Sequence, residues 1–238
     1  MRVLLAPDRR RPATRRSLRR SERSSIDAPG RLRYLAPVFD QLFPLEPLGI
    51  TIVDGNQPEL HAACVRAARL LRFTGRRAIG LLPASSEVAV LPVGIQLCGA
   101  LTQLCGATIA YVDANPRWPA LPLEALRSMP ATYAGGFAVR WIGPHLALLT
   151  PHGERAAGAG VVLLDQLLGE CAATYEHLIV DLTGFRELGE HLTAIRSLDG
   201  VVVVARAGFT HEADLLKLNH ALPADRNLGV LLVGGRSA

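Results

Sequence analysis

The sequence predicts a parallel α/β domain, that is, a mostly parallel sheet with helices on both faces. The main observation is that residues 77–112 have the strand, loop, helix, strand order of a right-handed crossover unit. We therefore expect Leu82 and Val112 to lie on neighbouring parallel strands. Further apolar strand-like runs alternate with helical segments as far as residue 233. A length of 238 residues and an apolar content of 49% are sufficient for one large domain with a substantial core.

The elements of the first half follow from periodicity. Residues 59–73 form an amphipathic helix that has Leu60, Cys64, Ala67, Ala68 and Leu71 on one face. Residues 77–82 and 107–112 are short apolar runs, which are typical of buried strands. Between them, residues 93–104 have apolar residues at helical spacing. A shorter helix is predicted within residues 121–129, and two short strands are predicted at 137–141 and 146–150.

The second half continues the alternation. Residues 161–173 are an apolar-periodic helix, and residues 175–181 contain a turn followed by a buried strand that ends in an aspartate. Residues 199–205 are almost entirely apolar, as expected for a strand covered on both faces. A helix at 211–220 and a last strand at 228–233 complete the prediction.

Residues 1–33 differ from the rest of the chain. They contain eleven arginines and three acids, a net charge of +8, so the remaining residues carry −3 of the overall +5. Such a segment is expected to be disordered, and it can contact an acidic partner, anionic lipid or nucleic acid. Residues 34–57 are a connecting segment, whose apolar stretch could add an edge strand or wrap around the domain. Residues 58–238 are predicted to be the folded domain.

The loop at residues 83–92 follows the first predicted strand, at the edge where parallel α/β sheets bind ligands. Residues 78–101, AIGLLPASSEVAVLPVGIQLCGAL, resemble without a gap the phosphate-loop segment of the MinD/ParA-like P-loop ATPases, roughly VIGVTSASPGEGKSTVAANLAAAL. The most similar members are the capsule-type and exopolysaccharide-type bacterial tyrosine kinases. The matching framework positions are Ile79, Gly80, Ala84, Ser85, Val93, Leu97, Ala100 and Leu101. An ordinary strand-to-helix loop that never bound nucleotide remains the alternative.

The residues that bind phosphate and magnesium in that family are replaced here. Glu87 and Ala89 stand at glycine positions, Val90 at the lysine, and Leu91 and Pro92 at the Ser/Thr pair. Glu87 brings negative charge where a phosphate would bind, Val90 has neither charge nor donor, and Pro92 lacks an N–H. The chain contains one lysine, Lys217, so a substitute for the missing lysine is not expected. The resemblance therefore implies a degenerate phosphate loop.

Acidic landmarks follow at the expected places. Asp113 matches the first acid of the family's DxDxR segment, which assists Mg²⁺, whereas Asn115 replaces the second acid and Arg117 matches the arginine. Asp181 ends a buried strand, which is the Walker B pattern that orders Mg²⁺. We interpret Asp113 and Asp181 as relic acids. Gly234 stands where the family's last strand ends in an adenine-contacting asparagine.

Other chemistries lack support. The seven histidines have no paired-ligand spacing, the four scattered cysteines form no CxxC pair, and no GxSxG elbow is present. The cysteines are therefore expected to be buried free thiols. No apolar run has the length of a membrane span, and Met1 is not followed by a secretory signal. We accordingly expect no catalytic residue, no metal site and no bound cofactor.

The resemblance covers about residues 57–235 and implies a P-loop fold that has lost nucleotide chemistry, a pseudo-ATPase or pseudo-kinase. It further implies a regulator or scaffold in bacterial exopolysaccharide or cell-envelope assembly, in the cytoplasm or at the inner face of the plasma membrane. The implied partners are an envelope polysaccharide co-polymerase, an active paralogous ATPase, or a second copy in a homodimer. Two alternatives remain open: a deviant ATPase that uses arginine and a partner's lysine, and a ParA-like partition or positioning protein that uses the arginine-rich segment on DNA.

Overall fold

The computed structural model describes residues 57–234 except residues 116, 118, 120, 122–125, 127, 128, 135, 153–158 and 172. All described residues belong to the larger of two compact units of the chain, which spans residues 38–238. The predictions for residues 1–33 and for most of the connecting segment 34–57 fall outside the described residues, as does most of the helix predicted within 121–129. Among the helices that are described, none combines the length and the apolar character needed to cross a membrane.

Apart from three short elements, the described helices and strands agree with the predicted ones, with ends shifted by no more than three residues. The helices are α1 (Gln57–Leu71), α2 (Val90–Cys105), α3 (Ala159–Cys171), α4 (Thr183–Glu187), α5 (His191–Arg196) and α6 (Glu212–Ala221). The strands are β1 (Ala78–Pro83), β2 (Ile109–Asp113), β3 (Thr132–Ala134), β4 (Phe137–Trp141), β5 (Leu146–Pro151), β6 (His177–Asp181), β7 (Gly200–Arg206) and β8 (Asn227–Val233). Strand β3 and helices α4 and α5 were not predicted, because each is too short to show a periodic pattern.

The eight strands form one sheet in the order β3-β4-β5-β2-β6-β1-β7-β8. Strands β5, β2, β6, β1, β7 and β8 are parallel to one another, and β4 is antiparallel to β3 and β5. This arrangement confirms the predicted mostly parallel α/β class.

The predicted adjacency of Leu82 and Val112 is wrong. Strand β6 lies between β1 and β2 and pairs in parallel with both, so the two predicted neighbours are one strand apart. A crossover pattern predicts the direction of the returning strand but not the number of sheet positions that it passes over. The intervening strand comes from residues about seventy positions further along the chain, which local sequence cannot indicate.

Two apolar cores cover the two faces of the sheet. The front core packs α1 and α2 on the sheet and includes Cys64, Leu97 and Tyr111. The back core packs α3, α4 and α5 on the opposite face and includes Leu164 and Phe185. Helices on both faces are the predicted arrangement.

The cysteines mostly follow their prediction. Cys64, Cys98 and Cys171 are buried free thiols, whereas Cys105, in the last turn of α2, is partly exposed. Burial raises the pKa of Cys64 to about 12 and raises that of Cys98 well above its ordinary value. These two thiols therefore stay protonated and behave as small apolar core residues.

Candidate functional site

The carboxyl ends of β1, β2 and β6 meet at one edge of the sheet. Asp113 of β2 and Asp181 of β6 lie side by side in register, and Asp181 is also the register partner of Leu81 in β1. The structure thus brings both predicted relic acids to the end of the strand that precedes the candidate phosphate loop. This is the edge where a parallel α/β protein would bind a ligand.

The loop between β1 and α2 directs two apolar side chains, those of Ala84 and Val88, into the protein. Ala84, at its start, is buried, and its N–H donates to the Val204 carbonyl oxygen at 2.8 Å. Val88 is also buried, and its N–H donates to the Ser85 carbonyl oxygen at 3.2 Å. Inward-pointing apolar side chains anchor this loop to the core.

The predicted phosphate-loop positions differ in their surroundings. Ser85, Leu91 and Pro92 are half-buried, Glu87 and Ala89 are exposed, and Val90 is buried. Val90 is only 2% exposed and belongs to the front core, so the position of the family's lysine is occupied by a packed apolar side chain. Glu87 directs its charge to the surface of the loop. Pro92 lies in the first turn of α2, where a missing N–H is tolerated.

Asp181 is closed off by groups of its own chain. Its Oδ2 atom accepts a short hydrogen bond from the Tyr111 hydroxyl, and its Oδ1 atom accepts one from the Thr183 N–H at 2.8 Å. The carboxyl group is buried, and the residue is 2% exposed. A Walker B aspartate would use these oxygens to order water on Mg²⁺. Here the phenol of Tyr111 satisfies one of them.

Asp113 and its neighbour Asn115 are used in a similar way. The Asp113 Oδ2 atom accepts a hydrogen bond from the Leu121 N–H at 3.0 Å, and the Asn115 Oδ1 atom accepts one from the Arg117 N–H at 2.9 Å. Both side chains are 1% exposed. Each side chain accepts a hydrogen bond from a backbone N–H that follows β2, which is a structural use of polar side chains.

Burial disfavours the charged form of both Asp181 and its hydrogen-bond donor, Tyr111. Burial raises the pKa of Asp181, and the hydrogen bonds from Thr183 and Tyr111 offset part of that increase. The pKa of Tyr111 lies well above its ordinary value, first because the ring is buried and then because the Asp181 carboxylate faces its hydroxyl. Tyr111 is therefore a permanent hydrogen-bond donor in this pair and does not serve as a base.

Sequence reasoning missed the role of Tyr111, which lies within the apolar run predicted at residues 107–112. The available signal was spacing, because Tyr111 precedes Asp113 by two residues and so lies on the same face of β2. It also missed Gly94, in the first half of α2. A Cβ atom at Gly94 would lie 2.2 Å from Cε2 of Tyr111, so a glycine is required for the ring to reach Asp181.

Concave surface is also found at the opposite, amino edge of the sheet. An open cleft of about 470 Å³ there is lined by Arg72, Arg76, Arg77 and His177, among others. The Arg76 Nη2 atom donates to the Asp225 carbonyl oxygen at 2.7 Å, and the Arg77 Nη2 atom donates to the Tyr175 carbonyl oxygen at 2.8 Å. These arginines tie together the chain segments that precede the strands, which accounts for their presence without a ligand.

The fold has counterparts among solved structures. The VpsO kinase domain matches with a TM-score of 0.61 at 17% identity, covering 74% of this chain and 95% of that chain. The BceF tyrosine kinase domain matches with a TM-score of 0.56 at 16% identity, covering 76% of this chain and 80% of that chain. The chain has the fold of a bacterial tyrosine-kinase domain. The kinase domain of Escherichia coli tyrosine kinase ETK agrees, with a TM-score of 0.54 at 17% identity over 73% of this chain and 77% of that chain.

This is the fold that the resemblance in residues 78–101 implies. The sequence matches no protein-family model and no curated protein. The likeness establishes the fold, whereas the chemistry depends on the residues at the strand ends. Across the described part of the chain, no cluster of three or more histidine, cysteine or acidic side chains is arranged to bind a metal ion.

Proposed function

We propose that this chain is a protein with a tyrosine-kinase fold that no longer binds nucleotide and that acts by binding another protein. Its setting would be bacterial exopolysaccharide or cell-envelope assembly, as a regulator or scaffold at the cytoplasmic face of the membrane. The pathway comes from the resemblance to capsule-type kinases. Support for the loss of nucleotide chemistry comes from the residues at the carboxyl edge of the sheet.

The observation that carries the proposal is the closed acid site. The Tyr111 hydroxyl donates a hydrogen bond to Asp181. The buried side chain of Val90 occupies the position that aligns with the family's lysine. A phosphate loop needs glycines that let N–H groups surround phosphate, a lysine at the β- and γ-phosphates and a hydroxyl on Mg²⁺. None of these three chemical elements is present at the aligned positions 87–92.

The carboxyl edge keeps features of a protein-binding surface. Phe209, in the loop after β7, is 53% exposed, and the Arg206 guanidinium carbon lies 3.9 Å from the centre of its ring. Exposed aromatic and arginine side chains are the residues that most often dominate protein interfaces. Because β7 neighbours β1, this pair lies on the same edge as the degenerate loop. A partner could therefore dock where a kinase would bind nucleotide.

Isothermal titration of the full chain with Mg-ATP tests the loss of nucleotide binding. We expect no measurable binding, which corresponds to a Kd weaker than about 1 mM. The physical reason is that Glu87 repels phosphate and Val90 offers no charge to attract it. The kinase domain of ETK, titrated in the same buffer, serves as the positive control. Saturable micromolar binding that requires Mg²⁺ would contradict the proposal.

The proposed partner class has a separate test. The purified cytoplasmic part of an envelope polysaccharide co-polymerase, taken from the same genome, should bind the full chain, and Phe209→Ala should weaken that binding at least about tenfold. Glycan-assembly genes beside the coding gene would support the pathway. A chain that binds neither such a co-polymerase nor a paralogous ATPase would leave the scaffold role without support.

One observation favours a second candidate, a deviant ATPase. The Arg186 guanidinium, on α4, donates to the Pro83 carbonyl oxygen at the end of β1, so a cation is present beside the candidate loop. In this alternative, the wild-type chain binds Mg-ATP and Arg186→Ala abolishes the binding. Arg196→Ala, an exposed arginine on α5, is the matched control. Arginine is a poor replacement for a phosphate-loop lysine, and we therefore rank this function second.

A further inference from the structure

The end of α1 exposes two large apolar side chains, Leu70 and Phe73, which we call the apolar pair. Leu70 is 72% exposed and Phe73 is 79% exposed, the two highest values among the large apolar side chains that the structure describes. The Phe73 N–H donates to the Leu70 carbonyl oxygen at 3.1 Å, so a helical turn continues between them. Residues three apart in such a turn lie on the same side of the chain. The pair therefore protrudes together, and covering it with an apolar phase is favourable.

Positive charge surrounds the apolar pair. Arg66 and Arg69 are exposed, and each lies four residues, about one helical turn, before one member of the pair. Arg72 is also exposed, and its guanidinium carbon lies 4.8 Å from the centre of the Phe73 ring. Residues 60–86 contain no aspartate or glutamate. The end of α1 is therefore cationic as well as apolar.

The charge of these arginines is not neutralised nearby. Between residues that the structure describes, no ion pair includes an arginine of residues 66–77. Arg76 and Arg77, which follow in the turn after α1, donate hydrogen bonds to neutral backbone carbonyl oxygens. The neighbouring cleft is lined by three arginines of this stretch and by one acidic residue, Glu176. Positive charge is thus in excess across this part of the surface, which favours an anionic ligand.

We propose that Arg66, Arg69, Leu70, Arg72 and Phe73 form a patch that docks the protein on an anionic lipid bilayer. The apolar pair enters the boundary between the headgroups and the acyl chains, and the arginines bind the lipid phosphates. The arginine stems can lie along the apolar boundary while their guanidinium groups stay at the level of the phosphates. The inference is independent of whether nucleotide binds and of the proposed protein partner.

Other occupants fit this patch less well. A second copy that docked through the same patch would bring the arginines of both copies together, and like charges across an interface are unfavourable. Nucleic acid would attract the arginines but has no apolar interior for Leu70. A protein partner would need acidic side chains arranged around a groove that accepts both Leu70 and Phe73. An anionic bilayer offers phosphates and an apolar interior at every point of its surface.

Cosedimentation of the full chain with vesicles tests the proposal. Vesicles of phosphatidylcholine with about one-third phosphatidylglycerol should bind the chain at least about tenfold more tightly than vesicles of phosphatidylcholine alone. Leu70→Ser with Phe73→Ser should weaken binding to the mixed vesicles at least about tenfold, because no apolar side chain then enters the bilayer. Val162→Ser with Leu216→Ser removes a similarly exposed apolar pair from α3 and α6 and should leave the binding unchanged.

The arginines have their own matched variants. Arg66→Gln with Arg69→Gln should weaken binding to the mixed vesicles at least about threefold, because two charges that attract anionic lipid are removed. Arg66→Lys with Arg69→Lys keeps both charges and should preserve most of the binding. Equal binding to vesicles with and without phosphatidylglycerol would contradict the role of the arginines.

Insertion at position 73 is the deciding measurement, because the arginines of residues 1–33 can also attract anionic vesicles. Phe73→Trp places a fluorophore in the patch, and the emission of the chain's own two tryptophans is subtracted with the unmodified protein. The remaining emission should shift to shorter wavelength on mixed vesicles, and lipids brominated on their acyl chains should quench it. Circular dichroism of each variant verifies that the domain stays folded.

Two results would overturn the inference. One is vesicle binding that Leu70→Ser with Phe73→Ser leaves unchanged, and the other is emission from Phe73→Trp that is neither shifted nor quenched on mixed vesicles. Both results are expected if this patch instead binds an acidic protein or nucleic acid. The titration with Mg-ATP is a separate measurement, so the failure of either proposal can be distinguished from the failure of the other.

Discussion

Gly94→Ala is expected to lower the free energy of unfolding by about 3 kcal/mol, near the upper end of the usual cost of overpacking. The added Cβ atom would lie 2.2 Å from Cε2 of Tyr111 and 3.2 Å from Cδ1 of Leu81. The Tyr111 ring is packed between a helix and a strand and cannot move aside as the end of a flexible side chain can. Either α2 or the Tyr111–Asp181 pair must therefore shift. Urea unfolding followed by circular dichroism measures the loss.

Two controls separate this clash from the general effect of a helical glycine. Gly169→Ala places a Cβ atom in open space on α3 and should stabilise the protein by about 0.5 kcal/mol, because alanine is the better helix former. Combining Gly94→Ala with Tyr111→Leu removes the rigid ring. The free energy of unfolding should therefore fall by less in the double variant than the sum of the decreases in the two single variants. An unfolding free energy unchanged by Gly94→Ala would show that Tyr111 does not occupy its place against α2.

Tyr111→Phe is expected to cost about 2 kcal/mol at pH 7.5, because it removes a hydrogen bond to a buried carboxylate while preserving the ring. The sign of its pH dependence follows from Asp181. Burial raises the pKa of Asp181 above its ordinary value of 3.8, so the folded protein binds that proton more tightly than the unfolded chain. The contribution of Asp181 to the stability of the wild-type protein is therefore greatest below about pH 3.8. It falls as the pH rises through the pKa of Asp181 in the folded protein.

Removing the Tyr111 hydroxyl should raise the folded pKa of Asp181 further, because that hydroxyl lowers it in the wild type. The cost of Tyr111→Phe should therefore be largest above the folded pKa and should shrink towards acid pH, where Asp181 is protonated in both proteins. Urea unfolding at pH 7.5 and pH 4 measures the difference. Tyr175→Phe, a buried tyrosine that packs against Trp141, is the control and should show no such pH dependence. A cost that is equal at both pH values would contradict a charged hydrogen-bond partner.

Much of the candidate site could be predicted from the sequence, because each of its residues has a position that is defined within one strand or one loop. Val90 and Glu87 could be recognised as replacements because a gapless segment fixes each loop position relative to Ile79 and Gly80. Asp113 and Asp181 could be recognised because each ends an apolar run. A strand end is a property of local sequence, and the parallel fold brings such ends to a common edge.

The pairing of Tyr111 with Asp181 could not be predicted in the same way. It depends on β6 lying between β1 and β2, and the predicted adjacency of Leu82 and Val112 missed that arrangement. It also depends on Gly94 leaving space for the ring. Both conditions join residues that are far apart in the chain, and only packing decides them.

The sequence by itself determined the class of fold, the alternation of strands and helices and the absence of glycine, lysine, serine and threonine from positions 87–92, because these are set by periodicity and by the residue types themselves. The tertiary structure alone decided the order of the strands and the partners of the two acids. Strand order is selected by which apolar faces pack together across the whole sheet, and a carboxylate becomes accessible or closed according to the neighbour that packing places against it.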